Sequence, residues 1–211
     1  MINLLARLKR RILGLLSYYP CRFSKDEWDR QYADGRWDFL RRADDLAHHS
    51  MIAGYFRHYG GGQAILDVCC GEGILQQALG AGNYERYLGL DISDEAIRRA
   101  HMRQDAKTVF LREDATSFAP AGRFQVIVFN ECLYYFDDPR GLMKHYQTFL
   151  GDEGVFVVSM YVEKQTRRIW KMLGSAYTVE DEVQVINGSG VSWVVKVLRP
   201  RNSPGAGAAG G

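Results

Sequence analysis

Along the chain, helical patterning gives way to an alternation of short apolar runs and amphipathic segments. Over residues 2–16, Ile2, Leu4, Leu5, Leu8, Ile12, Leu13, Leu15 and Leu16 fall on one broad side of a helical wheel. Asn3, Arg7, Arg10 and Arg11 fall on the other, with Lys9 misplaced among the apolar positions. From Phe23 to about Tyr59 the pattern is again helical, broken at Gly35 into a short segment and a longer one from Trp37 to His58. Strand-like runs then begin at Ala64 to Val68, with a second ending at Asp91, a third over Thr108 to Arg112, a fourth over Phe124 to Asn130 and a fifth over Gly154 to Tyr161. Between them lie helical stretches, Asp94 to Met102 and Gly141 to Leu150, followed by a basic helix around Lys164 to Leu173. Glu182 to Ile186 and Ser192 to Leu198 flank Asn187-Gly188-Ser189-Gly190, the composition of a hairpin turn. Strands alternating with helices predict an α/β fold, a doubly wound Rossmann-like sheet with a helical lid ahead of the first strand.

Four segments follow from this pattern: a basic amphipathic helix over 1–20, a helical lid over 21–62, the α/β domain over 63–199 and a tail over 200–211. From Asn202 onward only small or turn-forming residues occur, which cannot build a core, so that tail is expected to be disordered. The apolar part of the first helix is too short to span a bilayer and no small-residue cleavage site is evident near Cys21, so no export signal is read and a cytoplasmic location is expected. Two roles stay open for residues 2–16: lying in a membrane interface at the inner face, or packing on the domain or a second copy of it.

Composition narrows the partners. With 211 residues, 46% of them hydrophobic and 25% charged, the chain can bury a sizeable core. A net charge of +2 offers no global attraction to nucleic acid, which is not expected as a partner. The four cysteines comprise the adjacent Cys69 and Cys70 and the distant Cys21 and Cys132, with no second pair at metal-ligand spacing, so a reduced protein without a metal is expected.

The candidate chemistry centres on Asp67-Val68-Cys69-Cys70-Gly71-Glu72-Gly73 at the end of the first strand and on Asp91 at the end of the second. An acid at the end of the second strand is placed to bind ribose hydroxyls, and the pair outlines an adenosine pocket. A dinucleotide fingerprint requires a third glycine where this chain has Gln76. Asp67 would repel a pyrophosphate but can accept hydrogen bonds from the ammonium group of a methionine moiety. That selects S-adenosyl-L-methionine, with S-adenosyl-L-homocysteine as its product, over a nicotinamide cofactor.

Asp67 through Gly73, Asp91, and Glu113-Asp114-Ala115 after the third run resemble, in that order, the class I S-adenosylmethionine-dependent methyltransferases, and the resemblance covers roughly residues 25 to 198. It implies that Gly71 and Gly73 line the methionine portion, Asp91 binds the ribose, Ile92 packs on the adenine, and Asp114 with the Ala115 amide reads the adenine edge. It also implies that antiparallel strands end the sheet. Cys69 stands where the family usually has glycine, so the loop either tolerates a small side chain there or binds the cofactor differently.

Chemistry belongs at the carboxyl ends of the strands, where Asn130 closes the fourth run and joins the cofactor set. The following Glu131-Cys132-Leu133-Tyr134-Tyr135-Phe136 is expected to hold the acceptor. Relatives of the ubiquinone-pathway O-methyltransferase type tend to carry histidine where this chain has Tyr135, and a tyrosine with a pKa near ~10 is a poor base at neutral pH. Glu131 is therefore the first candidate for base or acceptor orientation, followed by His145 and His48, with Tyr135 also a candidate catalytic residue. Bracing of the following helix by Glu131 is the competing reading. The resemblance makes Tyr32, Trp37, His48 and His49 lid candidates and Tyr134 a pocket residue, although aromatics at helical spacing also simply build cores. Asn130 to Leu133 lacks the proline-rich tetrapeptide of nucleic-acid amino methyltransferases. It looks more like the small-molecule branch acting in nodulation-factor, sugar and natural-product pathways. The expected function is methyl transfer to nitrogen or oxygen of a small molecule, such as a sugar, a glycan intermediate or a secondary metabolite. The alternative is a noncatalytic cofactor-binding partner subunit, for which Cys69 and the missing histidine speak.

Overall fold

A computed structural model describes residues 23–201. The readings for residues 2–16, for Cys21 and for the tail from Asn202 lie outside the described residues. The first helix, α1 (Lys25–Ala33), is set by a capping box: the Ser24 hydroxyl accepts from the Glu27 amide while the Glu27 carboxylate accepts from the Ser24 amide. A 3-10 turn (Asp38–Arg41) leads into α2 (Ala43–Gly60), which Gly61 ends in the left-handed conformation. There follow β1 (Ala64–Val68), α3 (Ile74–Leu79), β2 (Arg86–Asp91), α4 (Asp94–His101), β3 (Thr108–Arg112), β4 (Phe124–Asn130) and a 3-10 turn (Leu133–Tyr135). The chain ends in α5 (Pro139–Gln147), β5 (Leu150–Tyr161), α6 (Lys164–Leu173), β6 (Tyr177–Ile186) and β7 (Ser192–Pro200).

The seven strands form one sheet in the order β3-β2-β1-β4-β5-β7-β6. β1 pairs in parallel with β2 and β4, and the parallel ladder continues to β3 and β5. β7 runs antiparallel to both β5 and β6. The Rossmann-like, mostly parallel sheet with an antiparallel end is thus the observed architecture. Its central strands are buried on both faces, which is why they read as continuous apolar runs. One face carries Leu142, Met143 and Tyr146 of α5 and Ile169 and Leu173 of α6 against Ile127, Phe129, Phe156 and Val158. The other carries Ile52 and Phe56 of α2, Leu75 of α3 and Ile97 of α4 against Ile65, Val126, Val128, Val157 and Val195.

Four boundaries differ from the sequence reading. The predicted helix from Trp37 to His58 is divided, because Arg42 adopts extended backbone between the 3-10 turn and α2, and Asp44 and Asp45 start a new first turn. α5 begins at Pro139, pre-set for a first helical turn and capped by the Asp138 carboxylate, and stops at Gln147 before Leu150 enters β5. β5 starts at Leu150 instead of Gly154: Leu150 pairs with Phe124 and the register then shifts, so the glycines lie inside an irregular strand. β6 starts at Tyr177 instead of Glu182, its first half hidden by charges that suit an exposed edge.

Candidate active site

Asp67, Asp91, the loop after β1 and the residues after β4 lie at the carboxyl ends of the strands, to which α1, the 3-10 turn region and α2 bring Tyr32, Trp37, His48 and His49. After Val68 the chain turns through Cys69 at φ 63°, Gly71 at φ 55° and Gly73 at φ 78° before α3 begins. Glycine is required at two of these positions by close approach as well as by conformation. A Cβ at Gly71 would sit 2.8 Å from the Tyr32 hydroxyl, and one at Gly73 would sit 2.9 Å from the Phe110 ring. Cys69 adopts the same left-handed backbone with a side chain, a conformation that costs about 1–2 kcal/mol. The loop therefore follows a path that favours glycine even where the sequence lacks it.

The two acids flank this loop. Asp91, at the end of β2, accepts from the Gly71 amide at 3.0 Å through one carboxylate oxygen and from the Ser93 amide at 2.9 Å through the other. Burial pushes its pKa up to about 6 against the pull of those amides. The carboxylate retains a lone pair for a ribose hydroxyl. Asp67, at the end of β1, accepts from the Tyr87 hydroxyl at 2.5 Å through Oδ2, whereas its buried Oδ1 has no partner. Burial raises its pKa to about 7. An orphaned acceptor of this kind fits the ammonium end of a methionine moiety, which would complete the pairing and restore the charge. Ile92, half-buried, follows Asp91 in the chain just before α4. Asp114 is exposed and caps its own turn, accepting from the Thr116 amide at 2.8 Å, while buried Ala115 accepts at its carbonyl from the Tyr146 hydroxyl at 3.0 Å. The residues present fit the donor that the motif order implies.

Over this loop α1 and the 3-10 turn are held by charge. The Asp29 carboxylate accepts from the Ser93 hydroxyl at 2.7 Å and the Glu95 amide at 3.1 Å, docking α1 on the start of α4. Lys25 pairs with Asp29 at 2.7 Å and with Asp94 at 2.5 Å. Arg41 forks onto buried Glu72 of the loop with two bonds of 2.5 Å, and Arg99 donates to the Tyr32 carbonyl at 2.5 Å and to Asp38 at 3.1 Å. Beneath these contacts lies an aromatic cluster. Trp28 meets Trp37 at 5.6 Å and Tyr135 edge-on at 5.0 Å, and Tyr32 meets Trp37 at 6.4 Å. Trp37 Nε1 is buried without a partner. The lid candidates Tyr32 and Trp37 are thus brought together with Tyr135 of the β4 loop.

On the other side, Glu131 follows β4 at φ 55°, also a left-handed conformation for a residue with a side chain. That turn sends its carboxylate back to β5, where Oε1 accepts from the Ser159 hydroxyl at 2.9 Å. Oε2 accepts from the Tyr161 amide at 3.0 Å and the Tyr134 hydroxyl at 3.1 Å. Burial pushes its pKa up to about 7 against those donors. Cys132, a free thiol, donates to the Val68 carbonyl at 3.5 Å and lies beside the free thiol of Cys69, tying the β1 and β4 ends together. His48 stacks on Trp193 of β7 at 4.7 Å and lies 4.2 Å from His49. Both its ring nitrogens are unpartnered, and burial lowers its pKa to about 2. His49 contacts the Asp45 carbonyl through Nδ1 at 2.9 Å and the Asn130 amide nitrogen through Nε2 at 3.0 Å. His145 stands apart: it lies in the last turn of α5, toward the opposite edge of the sheet, with Nε2 on the Phe118 carbonyl at 2.8 Å. Sequence reasoning missed Asp29, Arg41 and Glu72 as latches and Trp193 and Ser159 as supports. No local pattern marks any of them, because each meets its partner from a distant segment. Among the described residues no group of three or more His, Cys, Asp or Glu is placed to hold a metal ion, and no helix is long and apolar enough to cross a membrane.

Comparison with known proteins adds to this geometry. A family model described as a methyltransferase domain matches residues 23–193. The ubiquinone biosynthesis O-methyltransferase of Thiobacillus denitrificans is 34% identical over 87 residues, 39% of this chain and 37% of that protein. The protein of the same name from Psychrobacter arcticus is 24% identical over 125 residues, 56% of this chain and 48% of its own length. The chain thus spans less than half the length of these curated relatives. Among solved structures, the N-methyltransferase NodS from Bradyrhizobium japonicum with S-adenosyl-L-homocysteine is similar at a TM-score of 0.71 and 22% identity, covering 84% of this chain and 98% of that one. The 1,6-didemethyltoxoflavin-N1-methyltransferase from Burkholderia thailandensis is similar at 0.65 and 17%, covering 83% and 86%. At these identities the likeness is one of fold.

Proposed function

The chain belongs to the methyltransferase domain family, whose donor is S-adenosyl-L-methionine, and from that premise we propose that it methylates a nitrogen or oxygen atom of a small molecule. The observation that carries this reading is the loop between Asp67 and Asp91: left-handed backbone at three positions, an orphaned carboxylate oxygen at one end and a carboxylate with spare lone pairs at the other. Asp67 would hold the ammonium end and Asp91 the ribose. Cys69, Gly71 and Gly73 would form the cradle, and Ile92, Asp114 and Ala115 the adenine side. When bound, the donor supplies a methyl group on a positively charged sulfur, a leaving group that needs little further activation. The chain's own residues then contribute position and the exclusion of water.

The aromatic cluster of Trp28, Tyr32, Trp37 and Tyr135 closes over the loop and offers π faces favourable to a cation. Glu131 takes a positional role, since three donors already occupy its carboxylate and fix the β4 loop to β5. The names of the relatives are consistent with small acceptors, and we extend that class here to sugars, glycan intermediates and secondary metabolites. One observation favours a second reading, a noncatalytic donor-binding subunit: a side chain occupies the left-handed position at Cys69. Titration calorimetry with S-adenosyl-L-homocysteine, followed by labelled methyl transfer to panels of amino and hydroxyl acceptors, separates the two. Binding with transfer supports the enzyme, binding without transfer to any acceptor supports the subunit, and absence of binding overturns both.

A further inference from the structure

His49 fixes the orientation of Asn130 at the end of β4. The Asp45 carbonyl can only accept, so His49 Nδ1 carries the proton and donates to it; in the neutral ring Nε2 is then an acceptor. Burial of the ring favours that neutral form. The Asn130 atom facing Nε2 must therefore be its NH2 group, and the carbonyl oxygen Oδ1 points the other way. That oxygen is sealed from solvent and has no partner among the described residues. An acceptor left so costs about 1–3 kcal/mol, which a ligand carrying an N–H or O–H would recover. Asn130 sits on β4, next to β1 and its donor loop, on the sheet face that also carries Asp67.

Resting on the donor-binding reading above, we propose that Asn130 recognises the acceptor and that the acceptor is an amine, whose N–H is taken by Oδ1, with His49 as the positioning residue. The choice of an amine follows from what surrounds it. A hydroxyl must lose its proton to react, and the described residues here provide no free base. Glu131 is occupied by three donors and His49 is bonded at both nitrogens, while His48, though its ring nitrogens have no partner, is packed against Trp193 and His49 where burial makes it a very weak base. A neutral amine needs none. Its lone pair forms the new N–C bond as the C–S bond breaks, the electron pair of that bond going to sulfur. The proton in excess stays on the methylated ammonium, held by the amide oxygen, until release to water.

Sinefungin tests this by binding alone, because it carries an ammonium group where the donor carries its transferable methyl. Calorimetry compares sinefungin with S-adenosyl-L-homocysteine on the whole chain. Asn130→Leu is expected to weaken sinefungin about tenfold or more, the effect of a hydrogen bond to a charged group, and to leave S-adenosyl-L-homocysteine within about twofold. His49→Leu should show the same selective loss, and His49→Gln, whose amide oxygen can accept from Asn130, should restore it. Asn130→Asp keeps an acceptor oxygen and adds a negative charge, so it should tighten sinefungin selectively; it decides the matter if the leucine variant does not fold. Equal losses for both ligands, or no selective change in any variant, overturn the proposal. Failure of S-adenosyl-L-homocysteine to bind the unaltered chain overturns the donor reading instead.

Discussion

The two halves of the sheet edge are built differently. Over β1, β2 and β3 the polar groups are mostly satisfied: Asp91 by two backbone amides, Glu72 by the Arg41 fork, Asp29 by Ser93 and Glu95. Over β4, β5 and β7 the lining is aromatic and imidazole, and His48 and Asn130 leave buried polar atoms open. A ligand-free site can satisfy its groups where the ligand offers hydroxyls to spare lone pairs. Where recognition depends on one specific donor, the group waits unpaired. The half proposed to hold the cofactor is therefore finished but for Asp67 Oδ1, and the half proposed to choose the substrate is left open at His48 and Asn130.

The largest expected effect breaks the satisfied half. Asp91→Ala should weaken S-adenosyl-L-homocysteine by roughly 1.5–3 kcal/mol; unchanged affinity in calorimetry would remove Asp91 from the ribose. Next comes pH. With Asp67 on the ammonium end as proposed, donor binding draws on its ionised form, whose pKa stands near 7, so affinity should rise with pH up to that value, by at most about tenfold per unit, and then level off. Asp67→Asn should flatten that slope. The ligand-free protein should run the other way. Asp67, Asp91 and Glu131 hold protons that the unfolded chain loses near pH 4, a contribution that lowers stability as pH rises from about 4 to 7, whereas His48 and His49, held neutral by burial, contribute in the opposite sense up to about pH 6.5. Denaturant melts of the unaltered chain and of Glu131→Gln across that range check the carboxyl part: the substitution should shift the slope upward, and an unchanged slope would contradict it.

Smaller effects sharpen the contrast. Arg41→Ala strips the main partner from buried Glu72, but Arg41 is itself 41% exposed and Arg99 lies 3.5 Å away, so a loss of about 1 kcal/mol is expected. Faster release of bound S-adenosyl-L-homocysteine should accompany it, and unchanged release would show that the latch does not guard the loop. Smallest is Cys69→Gly, which relieves the left-handed strain and should leave donor affinity intact with stability altered by no more than about 1 kcal/mol. Loss of binding would mean that the thiol contact with Cys132 matters more than the backbone path.

What the sequence made legible follows the same division. β1, β3 and β4 were readable to the residue because continuous apolar runs are what a doubly covered parallel strand requires, and the acids at their ends came with them. The start of β6 was hidden because an edge strand tolerates Glu180, Asp181 and Glu182 on its open side. The break at Arg42 was hidden because helical periodicity runs on across it. On the acceptor side, His49 and Asn130 are 81 positions apart, and only the packing of α2 across β4 brings them within 3.0 Å. No local pattern could mark Asn130 as oriented, nor turn the Glu131 carboxylate toward Ser159.

A crystal structure with S-adenosyl-L-homocysteine tests the central claim most directly. The account predicts the ribose on Asp91, the amino end on Asp67 Oδ1 and the sulfur facing Asn130, with Tyr32 and Trp37 over the ligand. Density for the ligand elsewhere, or a crevice between the two acids still filled by the chain, would contradict it.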